Sequence, residues 1–382
     1  MPRPLYVARP ILPDLSEFRL IVDEIWQTRI LTNGGPFHQK LERELEKYLD
    51  VPTAMVFNNG TTALLVALKM MDLPAGSEVI TTPLTFAATA HAVVWNGLIP
   101  VFADVDPVTL TIDPASVEKA INANTSAILA VHVYGTICDV FALQEIANKH
   151  GLRLIYDAAH TFGTTFNGRS IGSFGDATVF SFHATKLFHT FEGGLIATNK
   201  ASDKELIYHL RNFGIKNEEE VIGIGINGKL NELQAAIGLL NLPLVQPERS
   251  LRAKLRARYC SFLDGVPGIT PPVVQAGVSN SEQYFHVLID PLSFGRTRDD
   301  VYESLKRKGI FARKYFHPIC TDFEPYRGYK IHSVRNEPYV ETVKSRVLCL
   351  PFHSGVEEED IEDIRAEFVR SDHQACRAPI PV

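Results

Sequence analysis

Apolar residues along this chain follow two rhythms. Between residues 54 and 198, short apolar runs alternate with stretches whose apolar positions recur every three or four residues. The short runs lie at 54–57, 78–82, 99–103, 126–131, 153–156, 177–182 and 194–198. Several are almost unbroken in apolar residues, as strands covered on both faces should be. Helical spacing fills the gaps at 61–71, 87–95, 114–122 and 140–150. Such alternation predicts an α/β fold with a mostly parallel mixed sheet wrapped by helices. Ligands of such sheets bind beyond the carboxyl ends of the strands, so candidate chemistry belongs there.

The flanks read differently. Residues 1–15 are rich in proline and predict an extended arm, with a helix expected near 17–26. The turn Leu31-Thr32-Asn33-Gly34-Gly35-Pro36 leads into an amphipathic helix with Phe37, Leu41, Leu45 and Tyr48 on one face. Helical patterns resume at 204–212 and 230–240, and a long charged helix is expected at about 247–263. Beyond Gly265 the elements shorten, with Pro267, Pro271 and Pro272 at the junction. The reading is therefore an arm (1–15), a large domain (16–246), and a linking helix with a smaller C-terminal α/β domain (247–382). The tail at 377–382 is expected to fray.

Charge and cysteine usage narrow the class. A net charge of −6 and the lack of a basic stripe argue against nucleic acid as a partner. No apolar run approaches the ~20 residues that span a bilayer, so no membrane segment is expected. The start, Met1-Pro2-Arg3-Pro4, has no apolar leader. Cys138, Cys260, Cys320, Cys349 and Cys376 are scattered and form no CxxC pair. Neither a disulfide framework nor a thiolate zinc site is expected, and the reducing cytoplasm fits best. His183 and His189 lie across a loop with no carboxylate spacing to complete a ligand set, so no metal is expected.

The strand ends carry the chemistry. The run at 177–182 breaks into a polar turn holding Lys186, and Gly193-Gly194 precede the next strand. A lysine between buried strands loses hydration, its pKa falls, and the neutral amine attacks carbonyls. The plain alternative is a solvated loop lysine. The first strand ends in Asn58-Asn59-Gly60-Thr61-Thr62 before a helix, which makes a phosphate cup of backbone N–H groups and hydroxyls. Simple N-capping by Thr61 is the alternative. Phe86 opens the next helix, where its ring can lie on a planar ligand or join the core. Asp157 ends the fifth strand and is desolvated unless it meets a cation, such as a pyridinium; otherwise it caps a following helix. His160 lies within reach of a ring oxygen. A phosphate cup, a flat aromatic, an acid for a pyridinium and a lysine for a Schiff base together specify pyridoxal 5'-phosphate.

On these residues the chain resembles the fold-type-I pyridoxal-phosphate enzymes, specifically the DegT/DnrJ/StrS nucleotide-sugar aminotransferases. The likeness spans nearly the whole chain. It includes Asn59 to Leu64, Thr85 to Thr89, Pro100 to Val105, His132 to Gly135, Asp157 to His160 and Asn231 to Ala236. It is strongest for the subgroup with Ser-Phe-His-Ala-Thr-Lys, here Ser181 to Lys186, which includes enzymes aminating the 4-keto carbon of dTDP-4-keto-6-deoxyglucose. The resemblance implies that Lys186 carries the cofactor and that Asp157 keeps the pyridine nitrogen protonated. It places His160 near the ring hydroxyl and Phe86 on the ring. Gly60, Thr61 and Ser181 would bind the phosphate. It further implies a homodimer in which Asn227 reaches the neighbouring subunit's phosphate. The family usually has an aromatic and an arginine after that asparagine, where this chain has Gly228 and Lys229. Gly34, Tyr315 and His317 would lie near the sugar nucleotide, and L-glutamate would be the amino donor.

Other readings stay open. A 3-keto-sugar or UDP-4-keto-sugar aminotransferase differs from this one only in its substrate. A sugar dehydratase of the same fold places histidine where this chain has Lys186. A lyase or decarboxylase would use the same cofactor, and a regulator would keep only the fold. A dinucleotide-dependent dehydrogenase would use Gly223-Ile224-Gly225-Ile226-Asn227-Gly228, but no strand pattern precedes that match and no aspartate follows about 20 residues on.

Overall fold

The structure, a computed structural model, describes residues 3–369; Cys376 and the tail at 377–382 lie outside the described residues. All seven expected strands form: β1 (Thr53–Phe57), β2 (Glu78–Thr81), β3 (Ile99–Ala103), β4 (Thr125–Val131), β5 (Arg153–Asp157), β6 (Ala177–Ser181) and β7 (Gly194–Thr198). They lie in the order β3-β2-β4-β5-β6-β7-β1, and the short strand Ile331–His332 adds an eighth member beside β3. β7 runs antiparallel to both its neighbours; the other pairings are parallel. β1 therefore points the same way as β6. The carboxyl ends of β1, β2, β5 and β6 and the start of β7 all meet at one edge.

Side-chain alternation explains why the sheet is buried on both faces. Val56, Ile80, Ile128, Tyr156 and Phe180 enter one core cluster. Their neighbours Phe57, Val79, Leu129, Ile155 and Val179 enter the cluster on the opposite face. Helices Gly60–Lys69 and Ala87–Trp95 cover the second face, while Pro36–Leu49 and Val140–His150 cover the first. Leu41, Leu45 and Leu49 confirm the amphipathic reading of Pro36–Leu49. By contrast, Leu15–Thr28 buries only Ile25.

Helix Val245–Leu263 leads to a three-stranded antiparallel sheet with Phe285–Ile289 in the middle, between Ile269–Thr270 and Val347–Leu350. Helices Arg298–Arg307 and Glu358–Phe368 help close a separate core around Tyr259, Phe285, Val301 and Ile364. Two short pairings link distant parts of the chain. Leu5–Tyr6 of the arm pairs with Ile310–Phe311, and Ile331–His332 returns to the large sheet. Two-residue strands carry too little periodicity to be read in advance.

Candidate active site

The convergent strand ends enclose a cavity of about 670 Å³. Gly60, Thr61, Phe86, Asp157, His160, Ser181, Lys186 and Tyr315 all line it. Gly34, Asn227 and His317 are not among its lining residues in this chain. Asn227 instead forms an isolated bridge with Asn212.

At the end of β1, Asn59 rather than Thr61 caps helix Gly60–Lys69, accepting a 2.8 Å hydrogen bond from the Thr62 N–H. That frees the Thr61 hydroxyl. A first helical turn has no intrahelical acceptor for its N–H groups, so those of Gly60 and Thr61 remain available to an anion. The cup is tight. A Cβ on Gly60 would stand 3.0 Å from the Ser181 Cβ, and one on Gly194 would stand 2.5 Å from the Asn59 carbonyl oxygen. The glycine beginning β7 is thus what lets the loop after β1 settle beside Ser181.

Asp157 at the end of β5 is buried. No helix follows it, so it does not serve as a helix cap. Its Oδ2 accepts a 2.8 Å bond from the Thr89 hydroxyl, and its Oδ1 accepts a 3.1 Å bond from the Ala159 N–H. Burial pushes its pKa up, while those two donors and the Lys186 charge pull it back. Across the cavity Lys186 is half-buried. Loss of hydration brings its pKa down to about 8, against the opposing pull of Asp157. A substantial fraction of the amine is therefore neutral near physiological pH.

His160 is held as one tautomer. Its Nδ1 accepts a 3.1 Å hydrogen bond from the Tyr134 N–H, so Nε2 carries the proton. Burial, with Lys186 nearby, keeps the ring neutral well below its ordinary pKa. The ring lies parallel to Phe316 at 5.8 Å and edge-on to Tyr284 at 5.0 Å. Phe86 caps helix Ala87–Trp95 and is 63% exposed, so its ring is free to face a ligand rather than the core.

Several lining residues carry no mark in the sequence reading. Thr85 is one; its hydroxyl lies 2.8 Å from that of Thr89, which stands behind Asp157 and is not itself part of the lining. Tyr284 and Arg313 arrive from the C-terminal part of the chain and had no signal in the pattern. The Tyr284 ring centre lies 5.7 Å from Lys186 Nζ. His183 and Glu192, both at the rim, face each other with Nε2 and Oε1 3.5 Å apart.

A model of the DegT/DnrJ/EryC1/StrS aminotransferase family matches residues 14–369. This chain belongs to that family. As an aminotransferase it is 43% identical over 367 residues to the dTDP-4-amino-4,6-dideoxy-D-glucose transaminase of Shigella dysenteriae, covering 95% of this chain and 98% of that one. The protein of the same name from Escherichia coli is 42% identical over 361 residues, covering 94% and 96% of the two chains. Among solved structures, DesI in the presence of its TDP-sugar product aligns with a TM-score of 0.89 at 37% identity, covering 96% of this chain and 92% of that one.

The cofactor of this aminotransferase is pyridoxal 5'-phosphate. The residues present fit it. A close cradle with free N–H groups suits a phosphate, and a buried carboxylate held by two donors suits a protonated ring nitrogen. A lysine with a depressed pKa suits an aldehyde. The dehydrogenase reading loses its footing, because residues 213–226 form a loop with single bridges and no strand leads into Gly223. Among the described residues no helix is long and apolar enough to cross a membrane.

Proposed function

We propose that this aminotransferase moves the amino group of L-glutamate to the 4-keto carbon of dTDP-4-keto-6-deoxy-D-glucose. The products are dTDP-4-amino-4,6-dideoxy-D-glucose and 2-oxoglutarate. The observation carrying this reading is the 42% and 43% identity, over 94% and 95% of the chain, to two transaminases named for that product.

When bound, the cofactor supplies an electrophilic carbon for amines and an electron sink for the resulting carbanion. The chain's residues do the rest. Gly60 and Thr61 N–H groups, with the Ser181 hydroxyl, bind the phosphate and fix its depth. Phe86 lies against the ring. Asp157 holds a proton on the pyridine nitrogen, and His160 Nε2–H donates to the ring oxygen. Lys186 Nζ, neutral and released, takes the proton from the donor's α-carbon. In the second half-reaction it delivers one to the sugar's C4. General base catalysis of this kind contributes about 10² to 10⁴ in rate. Tyr315 and Arg313 line the cavity and would meet the sugar nucleotide, whereas Gly34 and His317 lie outside its lining.

The active unit in this reading is a homodimer. Phe213, Val221, Ile222 and Ile224 expose an apolar surface on the loop that also carries Asn227, and a second copy would cover it. A monomer in sedimentation, at concentrations where the enzyme is active, overturns this part.

Glutamate incubated with a panel of dTDP- and UDP-ketosugars, followed by NMR of the product, tests the substrate. Amination at C4 of the dTDP sugar is expected; amination at C3, or only of a UDP sugar, overturns the assignment. Lys186→Ala should abolish turnover with every acceptor.

A further inference from the structure

Gln283 is not among the residues lining the cavity, yet its side chain touches the backbone on both sides of Lys186. Oε1 accepts a 2.7 Å hydrogen bond from the Leu187 N–H, and Nε2 donates a 3.1 Å bond to the Thr185 carbonyl. Only one orientation of the amide satisfies both partners, because an N–H requires an acceptor and a carbonyl requires a donor. The side chain is buried, with 2% exposure, so water cannot substitute for either bond.

The contact matters because Lys186 lies outside the sheet. Residues 182–193 leave β6 and return in β7, and no ladder holds the lysine's own peptide groups. Its N–H reaches only the His183 carbonyl within the same turn, at 2.8 Å. Gln283 supplies the anchor from a different part of the chain.

That anchor is itself fixed. The Glu282 carbonyl accepts from the Arg252 guanidinium at 3.2 Å, and the Glu282 carboxylate pairs with Arg256 at 2.9 Å. Arg252 is buried on helix Val245–Leu263 and pairs with Glu248 at 2.7 Å. On the other side the Ser281 hydroxyl donates a 2.7 Å bond to the His160 carbonyl. Residues 281–284 thus form a brace running from the long helix to both His160 and Lys186.

We propose that Gln283 is a positioning residue for the Lys186 amine, fixing the two peptide groups that flank it. The proposal rests on Lys186 being the residue that carries the cofactor and moves the proton. A base displaced by about 1 Å loses on the order of 10² in rate. Gln283 therefore acts on proton transfer and on the lysine's environment rather than on sugar binding.

The test uses the cofactor-loaded enzyme, with rates expressed per bound pyridoxal phosphate so that misfolded protein does not count. Q283L removes both hydrogen bonds. Q283E keeps the acceptor for Leu187 but loses the donor to Thr185. For Q283L, kcat should fall about 10²-fold with the sugar KM within about twofold of the parent. The pH midpoint of the bound cofactor's absorbance should also move. Q283E should fall between parent and Q283L. An unchanged kcat per bound cofactor, or an absorbance titration that superimposes on the parent in both variants, overturns the proposal. If Q283L does not fold, Q283E alone decides on the same two readouts. Borohydride reduction of the parent and mass analysis of the labelled peptide separate the premise. A pyridoxyl group elsewhere than Lys186 would refute the lysine assignment, not the brace.

Discussion

Thr89 donates a 2.8 Å hydrogen bond to Oδ2 of Asp157, and the Thr85 hydroxyl stands 2.8 Å behind it. This pair decides how anionic the acid at the cavity floor remains. Burial favours the neutral carboxyl and the threonine opposes it. Thr89→Val keeps the shape and removes the donor, so the Asp157 pKa should move further up. Hydrogen bonds to charged groups are worth about 1.5–3 kcal/mol, which corresponds to roughly 10- to 100-fold in cofactor affinity. Fluorescence titration of cofactor-free protein with pyridoxal phosphate measures it. An affinity equal to the parent's would mean that Asp157 does not meet the cofactor through this bond.

The phosphate cup gives a second expectation. Gly60 lies at a helix start, with φ outside the left-handed region, so alanine suits its backbone. What alanine meets is Ser181, at 3.0 Å from the new Cβ. Overpacking of this kind costs about 1–3 kcal/mol. Relief requires the loop to move off β6, which opens the cradle. Gly60→Ala should lower pyridoxal-phosphate affinity by about 10-fold or more while the thermal midpoint of the cofactor-free protein changes little. Unaltered affinity would show that the loop yields without disturbing the anion site.

How much of this was legible beforehand depends on how local the cause is. Each of the seven long strands announced itself, because a doubly covered strand needs an unbroken apolar run. Gly60, Asp157 and Lys186 could be found because each ends such a run or follows it within a few residues, whereas Ser181 was marked only by the family resemblance. The cap was misplaced from Asn59 to Thr61, since several neighbouring side chains there can accept a hydrogen bond from the first turn. Asp157 was offered a helix to cap, and none follows. Gln283, Tyr284 and Arg313 were invisible. They reach the site through the packing of the C-terminal part of the chain, and nothing in a linear pattern records which distant residue faces a given loop. The pairing of Ile331–His332 with β3 was invisible for a related reason: two residues cannot display a period.

Lys186 makes the fold itself sensitive to pH. Its amine has a folded pKa of about 8 against an ordinary value of 10.5. Between those values the unfolded chain holds a proton that the folded chain has released. Raising the pH through this window therefore stabilises the folded state, and below about 8 the full penalty of a charged, partly desolvated amine applies. Lys186→Met removes the effect. In cofactor-free protein, the urea midpoint of the parent minus that of the variant should be flat below about pH 7 and rise from about 8 towards 10.5. The rate of pyridoxal-phosphate uptake should rise across the same lower limit, because only the neutral amine attacks the aldehyde. A difference independent of pH would place the amine in water.

Asp104, just beyond β3, ties the returning strand to the large sheet. Its Oδ1 accepts from the N–H groups of Val105 at 2.8 Å and Val340 at 3.0 Å. Its Oδ2 accepts from the Tyr339 N–H at 2.8 Å, the Ser333 hydroxyl at 2.8 Å and the Arg335 guanidinium at 3.3 Å. The carboxylate is fully buried, so Asp104→Ala would leave N–H groups at the start of helix Tyr339–Arg346 without an acceptor and Arg335 without that counter-charge. Breaking such a buried set costs about 3–5 kcal/mol. The loss should be uneven. Hydrogen exchange should quicken at 331–340, where the strand and helix start depend on Asp104, before it quickens in β5 or β6. Ile331 and Tyr339 also pack in the cluster that contains Phe316 and borders Tyr315. Loosening them should therefore raise the sugar KM more than it slows proton transfer, and a half-reaction with glutamate should run at near the parent's rate. A uniform loss of protection across the sheet would mean that Asp104 supports the whole domain rather than this one return of the chain.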